Sequence, residues 1–160
     1  MEVVYRCCRG IDVQKSLIVA CLRTGGKQEL REFGTMTCEI KALANWLTKA
    51  GCEMAAMEST GSYWKPLYNL FEMLNLDAII VNAGHMKAVS GRKTDVKDAE
   101  WIADLLQHGL LRASFVPDRA QRELRELTRY RKSIIEERSR ELNRLQKVLE
   151  GANIKLGSVV

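Results

Sequence analysis

No CxxC spacing occurs in this chain, and its cysteines number five, Cys7, Cys8, Cys21, Cys38 and Cys52. An odd, unspaced set argues against a disulfide framework and against a structural zinc site. Most of these cysteines fall in apolar runs, where a free thiol behaves as a small hydrophobe. That usage fits a reduced, cytoplasmic protein. No apolar run is long enough to cross a membrane, so no membrane partner is expected, and no signal peptide is legible. Prolines number two. Pro66 falls in the first turn of a predicted helix, where its missing N–H costs little, and Pro117 breaks the chain. Histidine is limited to His85 and His108, which read as surface or capping residues. There is no internal repeat and no low-complexity segment.

What is present is a chain of 160 residues, 46% apolar, enough to bury a core in one domain plus an appendage. The net charge of +5 is uneven. Ten cations and five acids lie between Arg119 and Lys147, so that segment alone matches the whole-chain excess. A concentrated basic stretch of this kind fits nucleic acid as a partner.

The apolar pattern places β-rich segments at 3–13 and 17–22, a turn at Gly25-Gly26 and a third strand at 29–33. Thr37 caps a predicted helix to Lys49, with Ile40, Leu43, Ala44 and Leu47 on one face. Cys52 to Glu58 reads as a buried strand, 63–74 as a helix capped by Ser62, and 77–82 as another buried strand. Residues 84–94 read as a loop, and 95–108 as a helix with Ala99, Ile102, Ala103 and Leu106 inward. From Asp118 to about Glu150 runs one long helical pattern. Its stripe of Leu124, Leu127, Ile134, Ile135, Leu142, Leu145 and Leu149 is broken near Arg131 and Arg138, an imperfect coiled-coil seam. A meander followed by strand–helix alternation is one way to write an RNase H-like fold, and other α/β sheets share the pattern. Two domains are predicted, 1–117 and 118–160.

Four carboxylates stand out. Asp12 ends a β-type run and Glu58 closes the apolar strand MAAME. Asp95 and Asp98, in TDVKDA, share a helix face at spacing i, i+3. Burying a carboxylate at the end of an apolar strand is costly unless something compensates it, and a hard cation does so. Converging carboxylates can hold two Mg²⁺ roughly 3.5–4 Å apart for phosphodiester chemistry. Each acid alone has a plainer reading: Asp95 as a helix N-terminal charge, Asp12 as a strand-end turn residue, Glu58 as one half of an ion pair. Lys87, Arg92, Lys93 and Lys97 surround the DxxD pair and could contact phosphates, or simply offset the acids. Tyr63 and Trp64 could stack on a base, or pack their helix against the sheet.

These same segments carry a resemblance. GIDVQKSLIVACL, MESTGSYWKPLYNLFE, VNAGHMKAVSGRKTDVKDAEWIADLLQHGLLRASFVP and the arginine-rich helix resemble the motifs of the insertion-sequence one-ten family of transposases. These are relatives of Piv-type invertases and of bridge-RNA-guided recombinases. The resemblance covers nearly the whole chain, and the GRKTDVKDAEWIADLLQHGLL block is its most specific part. It implies an RNase H-like (RuvC-type) mixed sheet flanked by helices, followed by a long coiled-coil-like helix. It also implies a DEDD site at Asp12, Glu58, Asp95 and Asp98, both catalytic and metal-binding. A histidine is usual in the family where Gln14 stands here, which affects a neighbour of the site. Family members continue into a second domain bearing a nucleophilic serine, which Ser158 does not match. The resemblance thus implies that this chain stops before that domain and is incomplete for recombination.

The expected function is Mg²⁺- or Mn²⁺-dependent DNA strand cleavage and exchange, guided by a structured RNA. Lys87, Arg92, Lys93, Lys97, Arg129, Arg131 and Lys132 would contact nucleic acid, and the long helix would mediate self-association. The alternative is a non-catalytic module that binds RNA and dimerises.

Overall fold

β-type apolar runs, buried along most of their length, build one mixed sheet. The computed structural model describes residues 2–88, 98–155 and 157, without the side chains of 87 and 88. Its strands are β1 (Cys7–Val13), β2 (Leu17–Thr24), β3 (Lys27–Gly34), β4 (Met54–Glu58) and β5 (Ala78–Val81). Its helices are α1 (Thr37–Lys49), α2 (Trp64–Met73), α3 (Ala83–Ala88), α4 (Asp98–Gln107) and α5 (Arg119–Gly151). Contacts divide the chain into two units, Met1–Phe115 and Val116–Val160.

In the first unit the sheet order is β3-β2-β1-β4-β5. β1, β2 and β3 form an antiparallel meander, and β4 and β5 continue it in parallel with β1. This is the RNase H-like arrangement expected from the meander and the strand–helix alternation. The β2–β3 hairpin turns on Gly25 and Gly26, whose φ values of 55° and 81° suit a two-residue primed turn. The parallel strands are short and nearly wholly apolar, as strands covered on both faces must be.

Helices cover both faces. On one face α4 lies across β1, β2 and β4. There Cys8, Ala56, Val81 and Met86 pack against Ile102 and Leu106, and Val19 and Cys21 pack against Ala99 and Ala103. Ala99, Ile102, Ala103 and Leu106 are buried as the periodicity predicts, with Leu105 added. On the other face α1 buries Ile40, Leu43, Ala44 and Leu47. Phe33 of β3 meets Trp46 of α1 there at 5.8 Å between ring centroids.

Three local readings need correction. Residues 84–94 are not all loop, because α3 occupies Ala83–Ala88, where the Asn82 side chain accepts from the Gly84 N–H at 2.7 Å. Neither Thr37 nor Ser62 caps a helix. The N-cap positions are Met36 and Tyr63, and neither makes a side-chain cap hydrogen bond.

The second unit is dominated by α5. Asp118 caps it, its carboxylate accepting from the Gln121 N–H at 2.8 Å. No residue of α5 is buried, and Leu124, Leu127, Ile134, Ile135, Leu142 and Leu145 are all exposed.

Candidate metal centre

Parallel pairing of β1 with β4 runs from Cys8 opposite Met54 to Ile11 opposite Met57. One step further along this register, Asp12 and Glu58 stand side by side at the carboxyl ends of neighbouring strands. Equal register in a parallel pair puts both on the same face of the sheet. Their partners on the outer strands, Val19 beside Asp12 and Val81 beside Glu58, belong to the clusters packed under α4. The shared face is therefore the α4 face. Both carboxylates are half-buried.

The direction of α4 is fixed at both ends. Its last carbonyl, that of Gln107, accepts from the N–H groups of Val4 and Tyr5 at 2.9 and 3.4 Å, just ahead of β1. Farther along the helix, Arg23 of β2 pairs with Asp104 and donates to Gln107 Oε1 at 2.9 Å. At the other end Ala99 packs on Val19 and over Gly10. α4 thus runs antiparallel to β1 and begins where β1 and β4 end. Asp98, its first residue, is exposed.

Close approach by α4 depends on Gly10. A Cβ at this position would lie 2.2 Å from both the Ala103 nitrogen and the Ala99 oxygen. Glycine in β1 and alanines one turn apart in α4 let the two backbones touch. Gly10 does not stand out from the apolar pattern of its strand. An isolated glycine inside an apolar strand, followed at a distance by alanines spaced i, i+4, is the signal that could have found it.

Gln14 is a direct neighbour of the site. Its Nε2 donates to Asp12 Oδ2 at 2.9 Å, which orients the carboxylate from beyond the strand end.

Asp95, Arg92, Lys93 and Lys97 lie outside the described residues, and of Lys87 only the backbone, in α3, is described. Among the described residues no three His, Cys, Asp or Glu side chains are gathered closely enough to hold a metal. Asp12, Glu58 and Asp98 share one end and one face of the sheet without closing into a cage. Every donor in this set is a carboxylate oxygen, the ligand type that suits Mg²⁺, Mn²⁺ or Ca²⁺ rather than zinc or copper.

The remaining predicted residues fall as follows. Arg129, Arg131 and Lys132 are exposed on α5, with Lys132 Nζ 3.7 Å from Glu136. Trp64 meets Tyr68 edge-on at 5.6 Å, a contact along α2, and Tyr63 is exposed. His108 Nδ1 lies 2.9 Å from the Asp104 carbonyl oxygen, and His85 Nε2 accepts from the Arg112 N–H at 3.3 Å. Both histidines thus bond to backbone, and His108 Nδ1 also lies 3.8 Å from the Asp104 carboxylate. No helix among the described residues is long and apolar enough to cross a membrane.

Among solved structures, T. thermophilus RuvC in complex with Holliday junction substrate is similar at 10% identity. The match covers 68% of this chain and 99% of that one, with a TM-score of 0.46. No curated protein matches the chain. A family profile, the DEDD transposase of the IS110 type described as "Transposase", matches residues 9–154. The match takes in all but the two ends of the sequence, and the chain belongs to that transposase family.

Proposed function

We propose that this chain carries the metal-dependent catalytic domain of a DNA transposase, in which Asp12, Glu58, Asp95 and Asp98 hold Mg²⁺ or Mn²⁺ for strand cleavage and exchange. The observation that carries this reading is the meeting of the β1 and β4 carboxyl ends beneath the first turn of α4. Two half-buried carboxylates side by side repel each other unless a cation joins them. When bound, divalent ions activate an attacking oxygen and neutralise charge on the phosphate.

The chain's own residues position the reacting strand. Asp12 and Glu58 are fixed by a sheet paired on both sides of each strand, so their separation is set by strand spacing rather than by loop geometry. Gln14 holds one oxygen of Asp12 and limits its rotation. The amino end of α4 favours a phosphodiester approaching from that side. Lys87, Arg92, Lys93 and Lys97, adjoining the DxxD pair in sequence, would hold phosphates of DNA or of a structured guide RNA.

α5 supports two further assignments. Its exposed apolar stripe is too long for a lone helix in water, so it serves to pair with a second copy. Its cations, Arg129, Arg131 and Lys132 among them, serve nucleic-acid backbone. The complete absence of burial along α5 also favours a second reading, a non-catalytic RNA-binding and dimerisation module.

Thermal unfolding in the presence of Mn²⁺ separates the two. At about a hundred times its Kd, Mn²⁺ adds roughly 2.7 kcal/mol to stability, several degrees in midpoint for a chain of this size. The catalytic reading expects that rise in wild type and its loss in Asp12→Asn and Asp95→Ala. A wild-type midpoint indifferent to Mn²⁺ leaves only the binding module.

A further inference from the structure

Far from the carboxylates, at the opposite ends of the same two strands, lies a pair of thiols. Cys7 is the first residue of β1, and Cys52 sits just before β4. Their Sγ atoms are 3.3 Å apart, and both thiols are free. Cys7 also donates to the Ala50 carbonyl oxygen at 3.4 Å and lies 3.2 Å from Thr24 Oγ1. The backbone there is already fixed, since the Glu53 N–H donates to the Cys7 carbonyl oxygen at 2.9 Å. Bringing the sulfurs to a bonding distance of about 2.05 Å therefore asks for side-chain movement and no strand rearrangement.

A buried cation lies beside them. Arg9, two residues along the same face of β1, is 1% exposed, and its Nε and Nη1 have no hydrogen-bond partner among the described residues. Burial pulls its pKa down to about 10, while the Cys7 and Cys8 sulfurs act in the other direction. The other core thiols are unsuited to reaction: burial pushes Cys8 up to about 11 and Cys21 up to about 12.

We propose that Cys7 and Cys52 are an oxidisable dithiol that closes reversibly to a disulfide under hydrogen peroxide and clamps β1 to the chain entering β4. Cys52, the more exposed of the two, reacts first. Its thiolate attacks one peroxide oxygen, an S–O bond forms, the O–O bond breaks, and the departing hydroxide takes a proton to become water. Cys7 then gives up its proton and attacks the Cys52 sulfur. The S–S bond forms, the S–O bond breaks, and the second oxygen leaves as water. Two thiols are oxidised, one peroxide is reduced to two waters, and a thiol reductant reverses the change.

The test uses the chain carrying Cys38→Ser, which removes the exposed cysteine of α1 as a competing site. After peroxide, free thiols are blocked with N-ethylmaleimide in denaturant and the protein is weighed and digested. The expected result is a loss of about 2 Da with two alkylation sites gone. A fragment joining Cys7 to Cys52 should appear, and dithiothreitol should restore both sites. The thermal midpoint should rise by roughly 5 °C on oxidation, because the bridge closes a long loop. Adding Cys52→Ser should abolish the mass loss and the midpoint rise. Continued alkylation of both Cys7 and Cys52, or oxygen adducts without a joined fragment, overturns the proposal. The wild-type fragment map decides the matter even if the Cys52 variant folds poorly.

Discussion

Gly10 of β1 and Ala103 of α4 meet backbone to backbone, so close that a methyl group on Gly10 would sit 2.2 Å from the Ala103 nitrogen. This contact sets the height of α4 above the sheet and, one turn earlier, the place where Asp98 begins the helix. The obstructing atoms belong to the α4 main chain, which cannot rotate aside as a side-chain tip could.

Gly10→Ala should therefore be disproportionately harmful for a single methyl. Overpacking against a rigid neighbour costs about 1–3 kcal/mol, and this site should fall at or above the upper end. For a domain of this size the thermal midpoint should drop by roughly 5 °C or more. A variant as stable as wild type would show that α4 does not pack on β1 as described.

Asp12→Asn and Glu58→Gln should separate function from stability. Each removes one of two neighbouring negative charges, so without metal the midpoint should stay level or rise slightly. With Mn²⁺ the rise seen in wild type should vanish, and strand cleavage by the assembled transposase should fall by at least about a hundredfold. A large loss of stability without metal would instead mark these acids as partners in structural ion pairs.

Gln14→Ala tests the residue that holds Asp12 without belonging to the acidic set. Loss of a group that orients a ligand commonly weakens metal affinity by about 10–100-fold. The expected result is a Mn²⁺ Kd raised by roughly tenfold, with an unchanged midpoint in the absence of metal. An unchanged Kd would reduce the Gln14–Asp12 hydrogen bond to a surface contact.

Arg129→Ala with Arg131→Ala tests α5. If both side chains meet phosphates, the double substitution should weaken binding of structured RNA. It should also lower the slope of log K against log salt by about 2, roughly one per lost contact. Equal slopes for variant and wild type would return these arginines to a solvated face.

Much of the sheet is legible in the sequence because its strands are apolar, short and bounded by turns. The same apolar runs mark Asp12 and Glu58, since a carboxylate closing such a run is conspicuous. Their adjacency is not legible, because nothing in the order of residues says that β4 joins β1 in parallel at a register that aligns the two. Helix α3 was hidden by Gly84 and by a segment too short to show periodicity. Arg9 sits in the sequence within a β-rich run that gives no sign of burial, although the fold buries its guanidinium. Cys7 and Cys52 lie 45 residues apart and become neighbours only through strand pairing. Their spacing argued against a disulfide framework, and an oxidisable pair leaves no mark in the order of residues.

On the proposed reading, acids distant in sequence converge on one bound ion, and metal-directed backbone cleavage reads out that convergence. The chain is loaded with Fe²⁺ in place of Mg²⁺ and treated with ascorbate and peroxide, so that radicals cut only near the ion. Three clusters of cuts are predicted, at the end of β1 near Asp12, at the end of β4 near Glu58, and around Asp95 to Asp98, all suppressed by excess Mg²⁺. Cuts confined to the DxxD segment, or scattered along the chain and indifferent to Mg²⁺, would contradict it.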